Sequence, residues 1–167
     1  MGPILIQLPP SFSNKRLPQL QEFLSILPTE ARFAVEFRNK SWMNKETWKL
    51  LEQFEVAYTI TDSPLLPKNP VITTDFVFIR WHGQNKQLWY DYQYSKNELK
   101  PWQSEMQKII GNVKEVFGYF NNHPRGYAIR NLLDMNEILG RLTPKQVEIR
   151  QKIVAVLDGT DRQQKLF

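Results

Sequence analysis

The amino-acid sequence predicts an α/β fold of parallel strands joined by crossover helices. Five short apolar runs have the length of buried strands, and helical patterns separate most of them. Each run ends in polar or charged residues. Ligand sites of parallel sheets lie at the carboxyl ends of the strands, so this repeated ending also predicts a site.

The five runs also indicate which side chains share a face of the sheet. The predicted strands cover residues 4–8, 33–37, 57–61, 76–79 and 116–120. Since residues two apart lie on the same face, Phe33, Val35 and Phe37 point towards the helices, whereas Glu36 and Arg38 point into the barrel or crevice.

Apolar spacing predicts five helices, which cover residues 17–27, 45–54, 99–110, 126–139 and 144–157. Asn44 can cap the second helix, and Ser95 with Glu98 forms a capping box that opens the third. The segment 63–70 contains three prolines and is predicted to be a loop, as is the aromatic segment 84–94.

Length and composition bound the class of protein. A chain of 167 residues suits one domain, which we expect over residues 1–158, followed by a polar tail over 159–167 that could be disordered. The sequence has no cysteine, which excludes disulfides and thiolate metal sites. No apolar stretch approaches the ~20 residues of a membrane helix, and the N-terminus lacks a basic signal region. We therefore expect a cytoplasmic protein without a membrane segment.

Charged residues at the strand ends are the candidate catalytic groups. Buried charges are rarely left without partners, so these groups either neutralise one another or bind a ligand. In the ligand-binding interpretation, Glu36 or Asp62 is the base and His82 the acid or proton shuttle. Arg38 and Arg80 would clamp an anionic group.

Five further residues are candidates for substrate binding. Gln7, Asn121 and Asn122 lie at strand ends and could orient a substrate by hydrogen bonds. Trp42 and Tyr90 supply flat aromatic surfaces that could stack on a sugar or base. Packing within the loops is the commoner role of such aromatic residues.

Three other uses of the same residues stay open. Glu36, Asp62 and His82 could ligate a hard divalent metal, although two neighbouring arginines would repel it. The charged groups could instead form a structural ion-pair network. The net charge of +5 would also suit a non-catalytic module that binds nucleic acid or another polyanion, although a solvated basic face is the commoner explanation.

Five segments together resemble the YecE-like family, domain of unknown function 72, over residues 2–139. They are LIQLPPSF at 5–12, VEFR at 35–38 with SW at 41–42, IRWHG at 79–83, YDYQYS at 90–95, and YFNN at 119–122 with GYA at 126–128 and Asn131. The resemblance implies a TIM-barrel-like (β/α) fold and assigns no activity.

The resemblance also implies that this barrel is incomplete. Family members carry a Gly-Thr-Ser-Gly-Trp-like strand and two more strands before the Gln-Leu-Pro-Pro segment, at which this chain starts. Residues 4–6 are apolar on both faces, yet they would form a sheet edge. We therefore expect a second copy of the chain, or a separately encoded N-terminal half, to cover that edge.

The leading prediction is an incomplete TIM-barrel-like protein with a polar pocket at the strand ends. Its chemistry would be that of a hydrolase or isomerase acting on a phosphorylated or sugar-like substrate. The alternatives are the polyanion-binding module and an inactive truncated barrel.

Overall fold

The computed structural model describes residues 2–157 and residue 159. The tail predicted from residue 159 onward therefore lies, apart from Gly159, outside the described residues. The chain forms two compact units. The first comprises the residues up to Trp81 together with Lys108–Gly118, and the second comprises His82–Gln107 and the residues from Tyr119 onward. The prediction of one domain over residues 1–158 stays a prediction.

The first unit is built on a curled half-barrel sheet with the strand order β1-β2-β3-β4-β5. The strands are β1 (Ile4–Gln7), β2 (Phe33–Glu36), β3 (Ala57–Asp62), β4 (Phe76–Trp81) and β5 (Glu115–Phe120), whose last two residues belong to the second unit. Each of the pairs β1–β2, β2–β3 and β3–β4 is parallel. The predicted incomplete TIM-barrel-like α/β fold is confirmed.

The helices lie close to their predicted positions. They are α1 (Leu17–Ser25), α2 (Lys45–Gln53), α3 (Lys96–Leu99), α4 (Pro101–Ile110), α5 (Tyr127–Ile138) and α6 (Pro144–Leu157). Asn44 caps α2, and the capping box of Ser95 and Glu98 opens α3. The predicted third helix is divided into α3 and α4, because Pro101 has no N–H to continue the helical ladder. Among the described residues, no helix is long and apolar enough to cross a membrane.

One face of the half-barrel changes from apolar to polar along the strand direction. Its apolar part consists of Leu5, Ala34, Ala57, Phe76, Phe78 and Phe117. Towards the carboxyl ends, Gln7 pairs in register with Glu36, and Thr61 pairs with Arg80. Residues in register on parallel strands share a face, so the polar side chains continue the surface that the apolar cluster begins.

The opposite face of the sheet packs against α2 through aromatic rings. Tyr58 lies on this face of β3, and its ring centroid is 4.6 Å from that of Trp48 in α2 and 6.4 Å from that of Phe37. Tyr58 is 2% exposed. Burial, and secondly the negative charge of Glu36, raises the pKa of the Tyr58 hydroxyl, so this group stays protonated in the folded protein.

The raised pKa of Tyr58 predicts a loss of stability at alkaline pH. In the unfolded chain tyrosine loses its proton near pH ~10, whereas folded Tyr58 keeps it. Deprotonation of this tyrosine in the unfolded chain therefore lowers the free energy of unfolding as the pH rises above ~10. The decrease is about 1.4 kcal/mol at pH ~11. Urea unfolding at several pH values measures the free energy of unfolding. In Tyr58→Phe this free energy should not show the decrease that Tyr58 causes at alkaline pH. Tyr90→Phe, at a residue 42% exposed, is the control and should behave like the unaltered protein. If the free energy of unfolding of Tyr58→Phe decreased at alkaline pH as much as that of the unaltered protein, the raised pKa of Tyr58 would not be the cause.

Strand β1 lies at one edge of the sheet that the described residues form. Its first residue, Ile4, is 46% exposed. A parallel strand with an exposed apolar edge can pair with a further strand, and the predicted cover over this edge stays a prediction.

If a second copy covers the β1 edge, the chain should self-associate at micromolar concentration. Ile4→Lys places a charge on the edge and should shift the protein towards the monomer in sedimentation velocity. Glu22→Lys, at an exposed residue of α1, is the matched control and should leave the sedimentation unchanged. A monomer at every concentration would argue against the second copy and would leave the separately encoded half as the expected cover.

Candidate functional site

Glu36 is the centre of a buried charged cluster in the first unit. Its Oε1 accepts hydrogen bonds from Nε2 of Gln7 at 3.1 Å and from Nε of Arg38 at 3.3 Å. Its Oε2 accepts a hydrogen bond from Nη1 of Arg80 at 2.7 Å. The Glu36 side chain is 1% exposed, whereas those of Arg80 and Arg38 are 13% and 33% exposed. The structure therefore brings together four of the predicted site residues, which we call the Glu36 cluster.

The strand register explains how the cluster assembles. Gln7 and Glu36 are direct partners on β1 and β2, so their side chains lie side by side. Arg80 is on β4, and β3 lies between it and Glu36. On the shared face β3 carries the short side chains of Thr59 and Thr61, which leave room for the long guanidinium side chain to reach across.

Thr59 and Thr61 lie on the same face as the Glu36 cluster and were not among the predicted candidates. They are 0% and 3% exposed, and their hydroxyl oxygens have no hydrogen-bond partner among the described residues. We call them the threonine pair. Burying a hydroxyl without a partner costs ~1–3 kcal/mol, and such groups in native proteins call for an explanation. The signal that could have found them is the alternation of β3, in which residues 57, 59 and 61 share a face.

Asp62 lies on the other face of β3. It pairs in register with Trp81, whereas Thr61 pairs with Arg80, so Asp62 and the Glu36 cluster are on opposite sides of the sheet. The structure therefore does not bring Asp62 together with Glu36, and its predicted role as a base stays a prediction.

Trp42 packs in the core of the first unit. It is 0% exposed, and its ring stacks on Phe37 and on Phe12 at centroid distances of 4.9 and 5.7 Å. Its indole N–H donates to the carbonyl oxygen of Phe12 at 2.6 Å. The ring and its polar atom are therefore engaged within the protein, as the packing interpretation of these aromatic residues expects.

The second unit contains His82 and the predicted asparagines. His82 is 2% exposed, and its ring lies 4.8 Å from that of Trp89. Its Nδ1 is 3.0 Å from Nδ2 of Asn121, whose Oδ1 is 2.9 Å from Nε2 of His123. These contacts form a chain of three polar side chains within one unit.

Asn122 belongs to a different network, which holds the aromatic segment 84–94. Its Nδ2 donates to the carbonyl oxygen of Tyr92 at 2.6 Å and to Oδ1 of Asn131 at 2.8 Å. Asn131 in turn accepts a hydrogen bond from the backbone N–H of Tyr94 and donates one to its carbonyl oxygen. This arrangement positions the segment. Tyr90, within it, is 42% exposed.

The candidate metal ligands do not assemble into a recognisable centre. In the part of the chain that the structure describes, no three His, Asp or Glu side chains are grouped so that they could hold a metal ion. The arginines at Glu36 also disfavour a cation there. The divalent metal stays a prediction.

The curled sheet of parallel strands places the chain in the class of (β/α) barrel proteins. In that class, sites lie at the carboxyl ends of the strands, where the Glu36 cluster also lies. The chain belongs to the family described as "Protein of unknown function DUF72", whose model matches residues 1–152. The resemblance predicted from the sequence is thereby confirmed.

Relatives of known sequence or structure agree with this assignment. UPF0759 protein YunF of Bacillus subtilis (strain 168) is 28% identical, over 87% of this chain and 62% of that protein. A DUF72 family protein of Thermotoga maritima MSB8 is 34% identical with a TM-score of 0.75, over 81% of this chain and 56% of that one. A DUF72 family protein of Enterococcus faecalis V583 is 26% identical with a TM-score of 0.76, over 84% and 61%.

The chain thus spans about three fifths of the length of these relatives. That its barrel lacks opening strands stays a prediction.

Proposed function

We propose that the Glu36 cluster and the threonine pair bind a small ligand that carries both an anionic group and hydroxyl groups, as a phosphorylated or sugar-like molecule does. The observation that carries this proposal is the threonine pair, whose two buried hydroxyls have no partner among the described residues. A hydroxyl both donates and accepts a hydrogen bond, so this pair suits the hydroxyl groups of a sugar.

The two arginines suit the anionic part of such a ligand. A guanidinium has five N–H donors in a planar fork, of which Arg38 directs one to Oε1 of Glu36 and Arg80 directs one to Oε2. Charge-assisted bonds to phosphate or carboxylate are about twice as strong as neutral ones. The partial exposure of Arg38, at 33%, and the smaller exposure of Arg80, at 13%, support an approach of the ligand from the side of Arg38.

Glu36 has a positioning role in this proposal. Its two oxygens accept hydrogen bonds from three side chains, which orients both guanidinium groups in one place. A carboxylate engaged in this way serves better as the centre of an ion-pair network than as a base. The predicted hydrolase or isomerase chemistry would therefore need its base from another group or from the ligand.

Valine substitutions in the threonine pair test the proposal. Thr59→Val and Thr61→Val remove a buried hydroxyl and keep a similar shape. Without ligand, we expect the unfolding temperature of these variants to be unchanged or raised, because a buried unpaired hydroxyl costs ~1–3 kcal/mol of stability. Glucose 6-phosphate or ribose 5-phosphate should raise the unfolding temperature of the unaltered protein by mass action and have a smaller effect on these variants.

The matched control is Thr47→Val, at a residue equally buried but in α2. It should respond to the sugar phosphates like the unaltered protein, whatever its own stability. Equal ligand effects in all three variants would contradict a role for the threonine pair. A short oligonucleotide could also raise the unfolding temperature. If this increase disappeared at high salt and persisted in Glu36→Gln, it would favour the polyanion-binding alternative.

A further inference from the structure

An amide side chain links the only two histidines of the sequence, His82 and His123. Asn121 lies between them in the second unit. Its Nδ2 is 3.0 Å from Nδ1 of His82, and its Oδ1 is 2.9 Å from Nε2 of His123. Both distances are those of ordinary hydrogen bonds.

The chemistry of an amide decides which ring nitrogens carry protons. The amide nitrogen can only donate and the amide oxygen can only accept. With the amide in the orientation of the structure, Nδ1 of His82 accepts with its lone pair, and Nε2 of His123 carries a proton. A neutral imidazole has one ring proton, so neutral His82 holds it on Nε2. Turning the amide over would exchange the roles of both facing nitrogens at once.

We propose that Asn121 couples the tautomers of the two histidines and holds His82 with its proton on Nε2. In this state Nε2 of His82 is an N–H donor, whose partner must be an acceptor such as an anionic or carbonyl oxygen. A metal ion would have to displace either that proton or the hydrogen bond from Asn121. His123 is exposed and acts through the amide, so it is a positioning residue.

The surroundings of His82 support a fixed ring orientation. The residue is 2% exposed, and its ring packs at 4.8 Å from that of Trp89. The packed ring gives Asn121 a defined partner, and in the orientation of the structure the amide oxygen faces His123. The proton position on the exposed histidine and that on the buried one therefore change together in this proposal.

Nitrogen-15 NMR of the imidazole rings tests the coupling. At about pH 9, where spectra of neutral imidazole rings are sought, both histidines of the unaltered protein should show the Nε2–H tautomer. In Asn121→Asp the carboxylate only accepts, so His82 should change to the Nδ1–H tautomer while His123 keeps its form. An unchanged His82 in this variant would overturn the proposal, as would an Nδ1–H tautomer of His82 in the unaltered protein.

Variants of His123 provide a second test, which does not require Asn121→Asp to fold. His123→Phe removes the donor that orients the amide, so the His82 nitrogen shifts should move towards an average of the two tautomers. His123→Gln keeps an N–H donor and should restore the shifts of the unaltered protein. If His123→Phe leaves the His82 shifts unchanged, His123 does not position the amide and the proposal fails.

Discussion

Replacing Glu36 with glutamine is expected to lower the free energy of unfolding by about 3 kcal/mol. Glu36 is 1% exposed and accepts the hydrogen bond from Arg80 at 2.7 Å. Glutamine keeps the shape but removes the charge, which leaves the mostly buried guanidinium of Arg80 without its compensating carboxylate. Urea unfolding at neutral pH measures the effect.

Two further variants separate the ion pair from a general effect of the substitution. Glu22→Gln removes an exposed carboxylate of α1 and should change stability by less than about 0.5 kcal/mol. Arg80→Met should cost less in the Glu36→Gln background than alone, because the pair is already broken there. If Glu36→Gln proved as harmless as Glu22→Gln, the cluster would not be the stabilising network that its geometry indicates.

Alanine at Gly83 is expected to destabilise the second unit by about 3 kcal/mol or more. A Cβ at this position would lie 1.9 Å from the carbonyl oxygen of Trp89 and 2.7 Å from Cβ of Tyr92. The φ angle of +105° is also one that side chains rarely adopt. The unfavourable φ angle contributes ~1–2 kcal/mol to the loss of stability. The steric overlap contributes a further ~1–3 kcal/mol or more, since the main chain at Trp89 must move.

Gly140→Ala is the control for backbone strain without overlap. Gly140 has a φ of +68°, and a Cβ there would meet no atom within 4 Å, so this variant should cost only about 1 kcal/mol. Trypsin should cut after Lys86, within the aromatic segment, faster in Gly83→Ala than in Gly140→Ala. Equal cleavage and equal stability in both variants would contradict the close approach at Gly83.

The strands were predictable because buried parallel strands are apolar throughout and short. Residues 33–37 and 57–61 show this pattern, and β2 and β3 lie there. The end of α1 at Ser25 rather than at residue 27 reflects Pro28, which disfavours helical geometry in the residue before it. Such local rules act over a few residues and can be read without the fold.

The site was predictable only in part. Alternation within β2 placed Glu36 and Arg38 on one face, and the structure joins them to Gln7 and Arg80. Asp62 was predicted as a candidate base because it is the charged residue at the end of β3. The pairing between strands instead puts Thr61 beside Arg80, and that register is not encoded in either strand alone.

The sequence by itself determined the α/β class, the family and the charged residues at the strand ends, because hydrophobic periodicity and short motifs are local properties. Only the tertiary structure decided which of these residues meet. Register selected the Glu36 cluster and the threonine pair, packing buried Trp42, and the fold placed Asn121 between two histidines. Each of these depends on distances between segments that are far apart in the chain.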